Sequence, residues 1–335
     1  MLQTEYREFQ WEIAPDFETS LPEVLRQTGE PIKTSSATTV TRLRLAGREF
    51  YVKRYLHERR GLAPLAYFVR ASKSRREWTW AAHMHRRGVA VVPHLAHGER
   101  WSWRGLLGST LITEGLPGYV MLKGAKDLSS PELQFALGRF LRHVHDAGVL
   151  HLDMTPKNIL HSAAGQTFCF IDVDKVVCRN TLKRAERLDN LISLAARMPL
   201  TAAFYEGYGR EFAFDAEQIA HRAQARWQVL MTQISRRWRK HTHEIARQQA
   251  GGLQWYVRTA LVDERVHRVM EDPETFCVNS PEGLTMRRFG LAAARRAYRE
   301  AYRLELLGQT NSRPVAVGEK RVCGLCLRSY FVATT

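Results

Sequence analysis

The stretch GVLHLDMTPKNILHSAAGQTFCFIDVDK, residues 148–175, sets three Asp, two Lys and an Asn among apolar runs. Within it, His151, Asp153 and Asn158 form H-x-D-x-x-x-x-N directly after a helical pattern, and the apolar strand TFCFI then delivers Asp172. A hairpin has no need of this arrangement. Phosphoryl transfer from a nucleotide does. It takes a carboxylate beside the acceptor hydroxyl and hard oxygen ligands for a Mg²⁺ that bridges the phosphates. Asp153 suits the first role. Asn158 and Asp172 suit the second, one with an amide oxygen and one with a carboxylate.

Such a site also needs a cation on the donor phosphates, and the sequence upstream offers one. Residues 31–56, PIKTSSATTVTRLRLAGREFYVKRYL, read as strands joined by turns, because TVTRLRL alternates and EFYVKRY is β-branched and aromatic. Lys53 lies in the middle of the last strand. The pattern REWTWAAHMHRRG predicts a helix ending at Gly88, and Glu77 on it can lock Lys53 by an ion pair. VAVVPHLAHGERW and GSTLITEGLPG read as further strands, the second closing in a turn at 115–118. SSPELQFALGRFLRHVHDAG has a Ser cap, Pro, an early Glu and a terminal Gly, which predicts a helix just ahead of the opening motif. Strand Lys, helix Glu, loop Asp and Asn, and strand-end Asp then follow in the order of a kinase.

The bulk properties bound the partners. A chain of 335 residues can form two lobes around a substantial core, and 44% hydrophobic with 25% charged residues is ordinary for a globular protein. Lys plus Arg exceed Asp plus Glu by 50 to 34, a net charge of +16, which favours an anionic partner. The start carries no basic leader followed by an apolar core, and no apolar run is long enough to span a membrane. Five cysteines in so long a chain fit a reducing cytoplasm better than a disulfide framework.

The segments GREFYVKRY, SRREWTWAAHMHRRGVAVVPHLAHGER, STLITEGL, AGVLHLDMTPKNIL, FCFIDVDKV and RLDNLISLAARMPLTAAFYEGYGRE resemble the bacterial lipopolysaccharide kinase family, within the protein-kinase-like superfamily. The likeness spans roughly residues 38–210. It implies an α+β, two-lobed protein-kinase-like fold, with a β-rich N-lobe over 1–116, a helical C-lobe over 117–320 and a tail at 321–335. It further implies an ATP- and Mg²⁺-dependent kinase acting on a heptose or Kdo hydroxyl of the lipopolysaccharide inner core. On that reading Asp153 is catalytic, Lys53 and Glu77 serve the nucleotide, and Asn158 and Asp172 hold both nucleotide and metal. The expected setting is the cytoplasmic face of a Gram-negative inner membrane, with an anionic membrane surface and no nucleic acid as partner. An aminoglycoside-type phosphotransferase shares the same motif logic. A non-catalytic kinase-like binding protein is the reading from another class, and the intact Lys53, Asp153, Asn158 and Asp172 set argues against it.

Three departures from protein kinases point away from a peptide substrate. No G-x-G-x-x-G precedes Lys53, the corresponding turn being TSSATT at 34–39. Thr155 stands where protein kinases usually carry Lys. No A-P-E-type segment follows Asp172. His151 is expected to support the loop by hydrogen bonding, and Asp174 is open between metal binding, pairing with Arg and a structural role. Cys323-Gly-Leu-Cys326 lacks a second ligand pair for zinc, so chance or a redox pair is the better reading. The Arg-rich, aromatic-bearing stretches at 235–243 and 286–300 read as solvated helix faces. HERRGLAPLAYFVRASKSRR, residues 57–76, is the candidate for membrane docking, with an apolar centre between basic flanks. From 182 to 308 the Ala-, Arg- and Leu-rich pattern predicts almost continuous helix.

Overall fold

The computed structural model describes residues 8–34, 38–56, 63–125, 127–162, 166–212, 214–236, 245–278, 282–290, 293–307, 309–323 and 325–334. The chain divides into two units, Met1–Gln224 and Ala225–Thr335.

The first unit begins with β1 (Gln10–Ile13), α1 (Leu21–Arg26), β2 (Glu30–Thr34), β3 (Thr38–Leu45) and β4 (Arg48–Leu56). Next come α2 (Lys73–Arg86), β5 (His94–Ser102) and β6 (Gly105–Glu114). The six strands form one antiparallel sheet in the order β1-β5-β6-β4-β3-β2. Alternation decides its faces: Phe50 and Val52 on β4 point into a core shared with Phe17, Leu21, Leu43 and Ile112, which leaves Lys53 on the opposite face. Helix α2 starts where expected for a Ser cap, Ser72 Oγ accepting from the Arg75 N–H at 3.0 Å, and ends before Gly88 at φ +71°.

β7 (Tyr119–Met121) opens the helical part, followed by α3 (Pro131–Asp146), β8 (Val149–His151), β9 (Ile159–Ser162), β10 (Thr167–Phe170) and β11 (Val176–Cys178). Then come α4 (Arg184–Ala195), α5 (Ala202–Tyr208) and α6 (Ala216–Arg236), within which the division at Gln224 falls. Leu133, Leu137, Leu141 and Val144 of α3 recur at helical spacing and bury against Val149, Ile159, Phe170, Leu191 and Phe204. Helices α3 and α5 approach backbone to backbone, for a Cβ on Gly138 would run into the Phe204 carbonyl and one on Gly207 into the Phe135 carbonyl.

The second unit corrects the expected run of helix. It holds β12 (Ile245–Ala250), β13 (Leu253–Arg258), α7 (Glu264–Glu271), α8 (Pro273–Val278), β14 (Leu284–Gly290), α9 (Ala293–Leu306), β15 (Pro314–Val322) and β16 (Leu325–Thr334). Its sheet runs β12-β13-β15-β16-β14. The signal was local: IARQQAGGLQWYVR alternates on both sides of Gly251 and Gly252, which take φ +56° and +70° as a tight two-residue hairpin requires. Ala and Arg content masked it. The expected boundary at 320 and the tail at 321–335 are likewise replaced, because β15 and β16 pair as one hairpin through Val322↔Leu325. Cys323 therefore sits at a turn, and among the described residues no group of three His, Cys, Asp or Glu side chains could hold a metal. The basic stretch at 286–300 is β14 and the start of α9 rather than one helix, and 237–243 lies outside the described residues.

Candidate active site

Strand β4 and helix α2 bring Lys53 and Glu77 together. Lys53 Nζ donates to Glu77 Oε1 at 2.7 Å and to Asp172 Oδ1 at 2.5 Å. Glu77 is completely buried, and it also faces Tyr55 OH at 3.5 Å and His94 Nε2 at 3.7 Å. Burial pushes the Glu77 carboxyl up, but Lys53 and His94 outweigh it and hold its pKa down at about 2. Burial likewise opposes the Lys53 charge, and the two flanking carboxylates overcome that and raise its pKa. Tyr55 is held neutral by burial and then by the Glu77 charge, which raise its pKa. Tyr55 and His94 were not singled out in the sequence. The available signal was that Tyr55 lies two positions from Lys53, on the same face of the strand.

Asp172 reaches this pair because the chain around it is tied down twice. Phe170 exchanges backbone bonds with the segment after α2, its N–H donating to Ala90 O at 3.0 Å and its carbonyl accepting from Val92 N at 3.0 Å. The Ile171 N–H then donates to Asn158 O at 3.0 Å. Asp172 itself adopts φ +55°, ψ +51°, a left-handed conformation that Asp tolerates better than most residues. Its side chain stays half exposed.

The loop from His151 to Asn158 is held from inside. His151 Nδ1 accepts from the Asp153 N–H at 3.2 Å, which requires a neutral imidazole, and burial lowers its pKa accordingly. Asn158 Nδ2 donates to the Asp153 carbonyl at 2.9 Å, so its amide oxygen is the end left for a ligand. From below, Asn190 Nδ2 donates to the His151 carbonyl at 2.7 Å while its Oδ1 takes the His145 Nε2–H at 3.0 Å. His145 Nδ1 then accepts from Tyr208 OH at 2.7 Å, and burial keeps this imidazole neutral with a pKa of about 4. This buried chain was missed in the sequence, where Asn190 and His145 look like ordinary helix residues.

Asp153 is partly exposed and paired with Lys175, Nζ to Oδ2 at 3.4 Å. Burial opposes its ionisation, but Lys175 and Lys157 prevail and lower its pKa. Asp174 turns out to be nearly buried and faces α2, with Arg76 at 3.7 Å and Lys73 at 3.9 Å. Burial raises its pKa first, the two cations opposing. The turn expected over the phosphates, 34–39, has residues 35–37 outside the described set. The structure thus brings Lys53, Glu77 and Asp172 into direct contact, and ties Asp153, Asn158 and the strand leading to Asp172 together through the backbone.

Residues 23–212 match the lipopolysaccharide kinase (Kdo/WaaP) family. Among curated proteins none matches. Solved structures that align include WaaP in complex with acyl carrier protein, at 22% identity over 66% of this chain and 99% of that one, TM-score 0.47. An aminoglycoside-3'-phosphotransferase of type VIII aligns at 17% identity over 67% and 95%, TM-score 0.41. A spectinomycin phosphotransferase in complex with ADP and spectinomycin aligns at 9% over 68% and 82%, TM-score 0.43.

Proposed function

The chain belongs to the lipopolysaccharide kinase (Kdo/WaaP) family, and from that premise we propose that Lys53, Glu77, Asp153, Asn158 and Asp172 carry transfer of the ATP γ-phosphate to a heptose or Kdo hydroxyl of the inner core. The protein is a kinase of protein-kinase-like fold acting on the lipopolysaccharide core, with an alcohol group as acceptor. The observation that carries the residue assignment is the single ammonium of Lys53 shared between buried Glu77 and half-exposed Asp172. A salt bridge buried on one side is by itself weak evidence of a purely stabilising role. One that fixes a cation where donor phosphates must lie has a use.

Asp153 is the general base of this reading. Its carboxylate is ionised at neutral pH, carried on a loop that His151 and Asn190 immobilise, and partly open to solvent. In the transfer, the acceptor oxygen forms a bond to the γ-phosphorus as the bond to the bridging oxygen of ADP breaks, and the hydroxyl proton passes to Asp153. The residues fit a magnesium ion: Asp172 offers a carboxylate and Asn158 an amide oxygen, both hard ligands, with phosphate oxygens to complete the shell. When bound, the ion would neutralise phosphate charge. Glu77 keeps Lys53 in place for the same phosphates.

No helix among the described residues is long and apolar enough to cross a membrane. We propose that an amphiphilic acceptor is met at the surface of the cytoplasmic leaflet, with the enzyme peripheral. Of the docking candidate at 57–76, residues 57–62 lie outside the described set. Of the four flanking cations among the described residues, three are engaged by carboxylates of the protein, Lys73 and Arg76 by Asp174 and Arg75 by Glu99 and Glu12. Phe68 and Val69 remain exposed, Val69 at 93%. They are the apolar part of the proposed contact.

The test is acceptor choice. Full-length protein with ATP and Mg²⁺ should phosphorylate core oligosaccharide stripped of phosphate and leave an aminoglycoside untouched. Transfer to the aminoglycoside alone would replace the core sugar with a small-molecule acceptor.

A further inference from the structure

Two cations act on Asp153, Lys157 of its own loop and Lys175 of another element, and it is Lys175 that pairs with it directly. Thr155, two residues after Asp153, is buried and its hydroxyl finds no partner, so it points into protein rather than toward a phosphate. The cation paired with Asp153 thus comes from another element. β8 and β11 pair with His151 opposite Val176, and the Leu152 N–H donates to the Lys175 carbonyl at 2.8 Å. That register sets Lys175 across from the residues that follow His151, and its Nζ lies 3.4 Å from Asp153 Oδ2. Both side chains remain open, Lys175 at 58% and Asp153 at 35%. An exposed pair of this length contributes little to stability, yet the backbone pairing fixes its partners.

We propose that Lys175 is a catalytic residue of the transfer step: its ammonium holds the Asp153 carboxylate toward the acceptor hydroxyl and then bridges to the oxygens of the phosphoryl group in flight. This rests on the reading of Asp153 as base. An anionic base and a polyanionic phosphoryl donor repel each other, and a cation between them removes that repulsion where charge develops. Lys175 exchanges no proton. The acceptor proton goes to Asp153, the acceptor oxygen bonds to phosphorus, and ADP departs with the electron pair of the broken P–O bond.

The experiment compares wild type, Lys175→Met, Lys175→Arg and Asp153→Asn in the full chain, with ATP, Mg²⁺ and phosphate-stripped core as substrates. Fluorescent ADP binding and thermal melting are followed alongside. Lys175→Met should lower kcat by roughly 10²-fold, with KM for ATP, ADP affinity and melting temperature unchanged. Lys175→Arg, which keeps the charge, should restore most of that loss. Wild-type kcat in Lys175→Met overturns the proposal. So does a loss that Arg fails to restore, or one that tracks ADP affinity or melting. Turnover retained in Asp153→Asn would instead remove the reading of the base itself.

Discussion

Replacing Glu77 by Gln removes one charge from the buried pair and keeps its shape. The carboxyl is held at about 2 against an ordinary 4.5, and that difference corresponds to about 3 kcal/mol of stability at neutral pH. Lys53 feels the same contact from its other end, so the energy is counted once. For a unit of this size, about 3 kcal/mol lowers the melting temperature by roughly 6–12 °C. The sign follows from the depressed pKa. Wild type has the whole contribution above its unfolded value near 4.5 and loses it as pH falls toward about 2, whereas Gln at this position never has it. Differential scanning calorimetry of both proteins from pH 7 downward should therefore show a gap that is constant above about pH 4.5 and closes below it. A gap under about 2 °C at pH 7, or one that is the same size near pH 3, would refute the argument that the Glu77 charge is held by Lys53.

Asp172→Asn should weaken Mg²⁺-dependent nucleotide binding by at least about tenfold while leaving the fold intact, read by titrating a fluorescent ATP analogue with and without the metal; equal affinities would remove Asp172 from the metal shell. Gly138→Ala places a Cβ against the Phe204 carbonyl, so it should cost about 1–3 kcal/mol in a urea melt despite the better helix propensity of Ala; an unchanged midpoint would mean that α3 and α5 can part. Val69→Asp should reduce co-sedimentation with anionic vesicles without affecting transfer to a water-soluble core fragment, and unchanged sedimentation would leave 63–70 as plain scaffold.

Much of the proposed site could be read from spacing because the chemistry proposed for it depends on residue type at fixed places along single elements. Lys53 on an alternating strand, Glu77 on a capped helix and Asp172 after an apolar strand each announce both their chemistry and their element. What stayed hidden depends on tertiary pairing. Lys175 acquires its place beside Asp153 only through the β8–β11 register. Asn190 and His145 become supports of the loop only when α4 and α3 pack beneath it. Asp174 could be read as ligand or as ion pair until Arg76 and Lys73 of α2 were found facing it. In the second unit the error had another origin, since helix-favouring composition outweighed a short-period signal spread over strands of six or seven residues. The two-glycine hairpin at Gly251 was the cue to trust.

The central claim is tested most directly by the mass of the acceptor. Purified wild-type protein and Asp153→Asn are each incubated with ATP, Mg²⁺ and phosphate-stripped lipopolysaccharide core, and the products are analysed by mass spectrometry with fragmentation of the sugar chain. The account predicts the gain of one phosphate on a heptose or Kdo with wild type, and its loss by roughly 10²–10⁴-fold in rate with Asp153→Asn. An unchanged core mass with active, folded wild type, or equal phosphorylation by both proteins, would contradict it.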